Sequence, residues 1–167
     1  MSELGFVFHS DKCIQCHACQ AACKNWRKLE HGVNWRRVQN QWQGSYPDIF
    51  ISTLSVSCMH CVAPACMDVC PSGAISKRAE DGLVLVDSAL CTGCRLCFEA
   101  CPVGAPQFGA DGLMSKCDFC SSGPHAGCCA VCVLTCPTQA LEQHWMSVHQ
   151  KETAEESIEE HFHATGE

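Results

Sequence analysis

Large side chains are scarce in this chain. Aromatic residues make up 7% of its 167 positions, with a single tyrosine. A chain so poor in bulk has little hydrophobic core of its own to bury. Long apolar runs are missing too. The most apolar stretch, Ile49 to Cys66, is interrupted by several serines and His60, so no membrane-spanning helix is expected. Met1 to Ser10 carries neither a basic leader nor an extended apolar segment, and no secretory signal is expected there. Basic residues number 11 against 18 acidic ones. No basic stripe interleaved with aromatics occurs, which argues against nucleic-acid binding. No Ser–His–Asp set, nucleotide-binding loop or open metal site is evident, so the chain is not expected to catalyse bond chemistry itself.

Cysteine is what the chain has in excess, at 18 residues. Such density has three physical readings: disulfides, zinc sites or iron–sulfur clusters. Sixteen of the cysteines form four groups of four. Group one is Cys13, Cys16, Cys19 and Cys23. Group two is Cys58, Cys61, Cys66 and Cys70. Group three is Cys91, Cys94, Cys97 and Cys101. Group four is Cys117, Cys120, Cys132 and Cys136. Gaps of two and three residues suit chelation better than long-range stapling. Zinc favours pairs of C-x2-C with long separations. The run C-x2-C-x2-C-x3-C-P is the ligand spacing of a 4Fe–4S cluster in bacterial-type ferredoxins. Group three matches it in full. Group one matches except that Lys24 stands where the proline would be. Four groups imply four 4Fe–4S clusters, with all sixteen cysteines as iron ligands. In a chain with so little core, the clusters must supply much of the folding energy.

The chain repeats internally. Pro71-Ser-Gly-Ala74, Pro102-Val-Gly-Ala105 and Pro137-Thr-Gln-Ala140 each follow the last cysteine of a group, as copies of one unit. Between groups two and three lies a hairpin: Ala74 to Arg78, a turn containing Asp81-Gly82, then Leu83 to Asp87. The expected class is α+β, loop-rich, with two dicluster ferredoxin-like units, one nested in the other. The inner unit spans 52–109 with groups two and three. The outer unit joins 1–51 to 110–141 with groups one and four. In two-cluster ferredoxins the fourth cysteine of each run ligates the neighbouring cluster. The sets expected on that basis are Cys58, Cys61, Cys66 with Cys101, and Cys91, Cys94, Cys97 with Cys70. In the outer unit they are Cys13, Cys16, Cys19 with Cys136, and Cys117, Cys120, Cys132 with Cys23.

Several features stay open at this level. Cys128 and Cys129 are surplus, because Pro137 marks Cys136 as the fourth ligand of its group. They either pack as small apolar residues or take a redox or ligand-swap role. His17 and His60, lying between ligands, either donate to a cluster sulfur or face solvent or a partner. The stretch Lys24 to Ile51 holds Trp26, Trp35, Trp42, Tyr46 and five basic residues. It is either a docking surface or a local mini-core whose cations balance cluster charge. From Glu142 onward seven glutamates meet one lysine. That segment is expected to be an acidic tail, 142–167, mobile or wrapped on a partner rather than an exposed helix over Lys151 to His163.

The four runs in this order resemble the iron–sulfur subunit of the dimethyl sulfoxide reductase family of molybdopterin oxidoreductases. The match runs through Leu54-Ser-Val-Ser-Cys58-Met-His-Cys61, Cys70-Pro-Ser-Gly-Ala74, Lys77-Arg78 and Asp81-Gly82. It continues in Cys91-x2-Cys94-Arg95-x-Cys97, Ala100-Cys101-Pro102-x-Gly-Ala-Pro106-Gln107 and Lys116-Cys117-Asp118-x-Cys120. It covers about Asp11 to Leu141. The chain departs from the family at Gly123 and Ala130, where an Arg and a Pro are usual, and in its short stretch between groups one and two. The resemblance implies an electron-transfer subunit linking a molybdopterin catalytic subunit to an integral membrane anchor that exchanges electrons with quinol. Membrane association would then come through those partners, with group one's cluster nearest the catalytic subunit. Similar subunits serve formate dehydrogenase and hydrogenase complexes. A cluster-based redox sensor is the reading from a different class.

Overall fold

The computed structural model describes residues 2–122 and 129–164. Gly123 and Cys128 lie outside the described residues. Eight strands and five helices are present among them: β1 Ser2–Phe8, α1 Ala18–Trp26, β2 Arg37–Ser45, β3 Asp48–Val56, α2 Ala65–Asp68, β4 Ile75–Lys77, β5 Val84–Val86, α3 Leu96–Glu99, β6 Gln107–Phe108, β7 Met114–Ser115, α4 Val131–Leu134, β8 Leu141–Ser147 and α5 Val148–Ala164. The strands form four separate antiparallel pairs: β1–β8, β2–β3, β4–β5 and β6–β7. Mixed, short and loop-rich elements match the expected α+β class.

The β4–β5 hairpin forms where the Asp-Gly turn predicts it, with Ile75 opposite Val86 and Lys77 opposite Val84. Gly82 takes a left-handed φ of 72° in the turn, which a side chain would resist. Asp81 ties the turn down, accepting from the Leu83 amide at 3.1 Å and from the Arg78 guanidinium. The β2–β3 hairpin has no such signal in the sequence. It is nine residues on each side and turns through Tyr46–Pro47. Its existence splits the Lys24–Ile51 stretch in two. Trp35 packs near the core, whereas Trp42 and Tyr46 stand out at 71% and 89% exposure.

Helix length follows the proline pattern. A residue before proline avoids the α region, and α2, α3 and α4 each stop after four residues, just ahead of a Cys-Pro step. Lys24 removes that stop in group one, and α1 runs nine residues, through Cys23 to Trp26.

The C-terminal segment is not a free tail. Residues from Leu141 to Ser147 pair in register with β1, Leu4 facing Trp145. Helix α5 then folds back on the body. Lys151, at 2% exposure, donates to Glu3 at 2.8 Å, and Glu155 accepts from the Val62 amide at 3.0 Å. Ile158 packs against the core. Two of the expected boundaries also fall inside elements. The 51/52 break cuts β3, and the 109/110 break lies within the β6–β7 hairpin.

Among the described residues the core is three small clusters, and cysteines belong to each. Cys58 and Cys117 sit with Leu54, Val56, Val103 and Ala105. Cys97 sits with Ile75, Val84 and Met114, and Cys132 with Ala130 and Leu141.

Candidate metal centres

Each cysteine run begins as a tight loop bent by left-handed residues at corresponding places. The residue before the second cysteine has positive φ in all four groups: Gln15 58°, His60 54°, Gly93 69° and Phe119 60°. The third residue after the fourth cysteine repeats this in Gly73, Gly104 and Gln139, at 62°, 56° and 53°. A non-glycine residue held there costs about 1–2 kcal/mol. Such strain persists where the surroundings enforce it and tends to mark functional sites. Its effect is to turn backbone amides toward sulfur. In the loops that follow Cys101 and Cys136, the amides of Ala105 and Ala140 donate to Sγ at 3.3 and 3.2 Å. Met114 and Phe119 donate to Cys91 and Cys117, both at 3.4 Å.

The thiols gather in fours. One cavity is lined by Cys58, Cys61, Cys66 and Cys101, with Met59, Val84 and Val103. Another is lined by Cys70, Cys91, Cys94 and Cys97, with Ile75, Phe108 and Met114. Elsewhere the grouping shows in the charges each thiol feels. Burial raises the Cys13 thiol, with Cys19, Cys136 and Cys16 adding to it. Burial pushes Cys23 up to about 12, with Cys117, Cys132 and Cys120 as its neighbours. Cys61 is also pushed up to about 12, and Cys66 to about 11, chiefly by burial. Cys70 and Cys136 behave differently. Both carry a desolvation penalty, yet hydrogen bonds hold them below the ordinary thiol value. For Cys70 these come from Ser72 and the amides of Ala74, Ser72 and Ile75. For Cys136 they come from the Leu141 amide, Thr138, and the amides of Ala140 and Thr138.

Crowding thiols in fours, with Cys23, Cys58, Cys97, Cys117 and Cys132 buried, makes chemical sense with cations to bind them as thiolates. Among the described residues, no three His, Cys, Asp or Glu side chains converge tightly enough to hold a single metal ion. Tetrahedral thiolates on zinc sit about 2.3 Å from one ion. Thiols that surround a cavity instead fit a multinuclear cluster, and N–H···S hydrogen bonds to the cluster sulfurs tune its potential.

His60 is fully buried, so it does not face solvent. Burial, then Lys116 and Lys151, holds it well below 6.5, hence neutral. Its Nδ1 accepts from the Val84 amide at 3.0 Å. His17 is exposed, with Nδ1 3.4 Å from Gln20 Oε1. Cys129 is half-buried. Arg36 is the site residue that spacing arguments missed. It lies 2% exposed among four cysteines, and nothing in a Trp-Arg-Arg tripeptide signals which arginine turns inward.

The fold and these loops define a ferredoxin-type iron–sulfur protein. The 4Fe-4S dicluster domain family matches residues 12–75 and again residues 49–144, so the chain carries 4Fe–4S clusters. The two matches follow chain order and overlap at 49–75 rather than tracing a nested division.

Relatives narrow the class. The chain is 45% identical over 150 residues to the probable anaerobic dimethyl sulfoxide reductase chain YnfG of Escherichia coli K12, covering 84% of this chain and 73% of that one. It is 43% identical to the B subunit of anaerobic dimethyl sulfoxide reductase from Haemophilus influenzae, covering 85% and 74%. It is 40% identical to the formate dehydrogenase iron-sulfur subunit of Wolinella succinogenes, covering 84% and 81%. The chain belongs to the dimethyl sulfoxide reductase family of iron–sulfur electron-transfer subunits. No helix among the described residues is long and apolar enough to cross a membrane.

Proposed function

We propose that this chain holds four 4Fe–4S clusters on its sixteen grouped cysteines and conducts electrons between a molybdopterin catalytic subunit and a membrane anchor that exchanges electrons with quinol. When bound, each cluster supplies reversible one-electron exchange without bond chemistry on a substrate. The ligand sets are Cys91, Cys94, Cys97 with Cys70; Cys58, Cys61, Cys66 with Cys101; Cys117, Cys120, Cys132 with Cys23; and Cys13, Cys16, Cys19 with Cys136. The single observation that carries this reading is the mutual proximity of three thiols from one run with the fourth thiol of another.

The same proximity supports an order for the sets. Cys66 feels Cys97, Cys117 feels Cys58, and Cys132 feels Cys19. In that order the groups run three, two, four, one. The terminal sets are those of group three and group one, and they contain Cys94 and Cys16, the thiols exposed among the described residues. An exposed ligand in each terminal set and none in the middle sets suits a conductor that meets a partner at each end. The residues between them exclude water and hold the loops in place, and the chain has no catalytic role of its own. A dimethyl sulfoxide reductase-type complex is favoured over a formate dehydrogenase-type one by the closer identity, 45% against 40%.

Anaerobic iron and sulfide analysis tests the cluster count. About sixteen iron atoms per chain are expected, four to each cubane cluster. Eight or fewer would reject the four-cluster reading. Affinity purification from cells grown anaerobically should bring down a large molybdopterin-containing chain.

A further inference from the structure

Arg36 is a buried cation without a carboxylate. Its side chain is 2% exposed. Its guanidinium donates to Ser55 O and Ser55 Oγ at 3.3 and 3.2 Å, and to Ser57 Oγ at 2.8 Å. The Phe6 ring lies 4.4 Å from its Cζ. Among the described residues no Asp or Glu pairs with it. An unpaired buried charge is costly, and proteins retain one only beside a countercharge. The groups that surround Arg36 are thiols of both outer sets: Cys132, Cys117 and Cys23 on one side, Cys19 on the other. Arg36 opposes the upward push that burial gives the Cys132 thiol. Ser55 Oγ, held by Arg36, lies 3.6 Å from Cys19 Sγ. The countercharge is therefore thiolate bound to iron.

Resting on the four-cluster reading above, we infer that Arg36 is a positioning residue whose fixed positive charge raises the reduction potentials of the group-one and group-four clusters together. Reduction adds one electron to a cluster, and a fixed cation beside it stabilises the more negative state. Low exposure makes the effect insensitive to added salt. Two serines and an aromatic face hold the charge between the sets rather than beside one of them. The inner sets have their own buried cation, Lys116, which acts on Cys66. The leading charges on Arg36 are all outer-set thiols, so its influence falls chiefly on the outer pair.

The experiment is an EPR-monitored redox titration of the iron-loaded full chain in its complex, comparing wild type with Arg36→Gln and Arg36→Lys. Iron content is measured first. Fewer than four clusters in the wild type would reject the four-cluster reading, and this inference with it. With four clusters present, Arg36→Gln should lower two midpoint potentials and leave the other two unchanged. Arg36→Lys should keep all four near wild type. Iron loss in Arg36→Gln with full retention in Arg36→Lys also supports the charge. Unchanged potentials in Arg36→Gln, an equal fall in both variants, a shift of all four clusters, or iron loss in both variants would overturn this inference while leaving the wire reading intact.

Discussion

Gln139 sits at φ 53° in the place that Gly73 and Gly104 fill in the sister loops. Its side chain is exposed, so it gains little from burial in return for that strain. Gln139→Gly should therefore stabilise the loaded protein by about 1 kcal/mol, the left-handed strain less the extra chain entropy of glycine. A higher thermal unfolding midpoint would show it, and a lower one would mean that the Gln139 side chain has a role. The repeat makes this position findable from sequence, since Pro137-Thr-Gln-Ala140 aligns with two Pro-x-Gly-Ala copies. The left-handed backbone at Gln15, His60 and Phe119 is not findable, because none of these residue types announces positive φ. The cysteines themselves are legible because ligand spacing is a local property of the chain. Arg36 is not, because its burial depends on Ser55 and Ser57, about twenty residues further on.

Helix α1 illustrates how one side chain sets the length of an element. Lys24 stands where three other groups have proline, and the helix continues to Trp26. The Lys24 ammonium then caps the following loop, donating to the carbonyls of Glu30 and Val33 at 2.9 and 3.0 Å. Lys24→Pro would complete the ferredoxin motif, yet it should destabilise the protein by about 3 kcal/mol or more, through a lost amide and a ring clash. A fall in the thermal midpoint of the loaded protein is the expected result. An unchanged midpoint would show that α1 does not depend on that amide. The β4–β5 hairpin is readable because Asp81-Gly82 and a Leu/Val run are local signals. Helix α5 reads as a tail in the sequence for a physical reason. Its inward face is Lys151, Ala154, Glu155 and Ile158, spaced at helical period but half of it charged. Hydropathy cannot see a face that docks through Glu3 and the Val62 amide.

Taken as a body, the protein has three small hydrophobic clusters, each including cysteines proposed as ligands. Apolar packing on that scale is a weak basis for a fold of this length. Removing iron from the purified chain with an anaerobic chelator should abolish most secondary structure, because metal binding and folding are then one equilibrium. Circular dichroism checks this, and a native-like spectrum after full iron loss would show that the polypeptide holds itself together. The class and the groups of four are legible at this level. Which parts lie side by side is less so, since boundaries set by the cysteine groups cut β3 and the β6–β7 hairpin.

The pairing of β1 with β8 has a consequence for how the molecule is made. Residues 2–8 leave the ribosome well before their partners, 141–147. In the proposed ligand sets Cys13, Cys16 and Cys19 await Cys136, more than a hundred residues further along the chain. Cys58 to Cys101 emerge as one compact block and need no such delay. If the proposed ligand sets hold, iron loading has a built-in sequence, middle of the chain first, and the cysteines of group one are the ones left longest without their full set.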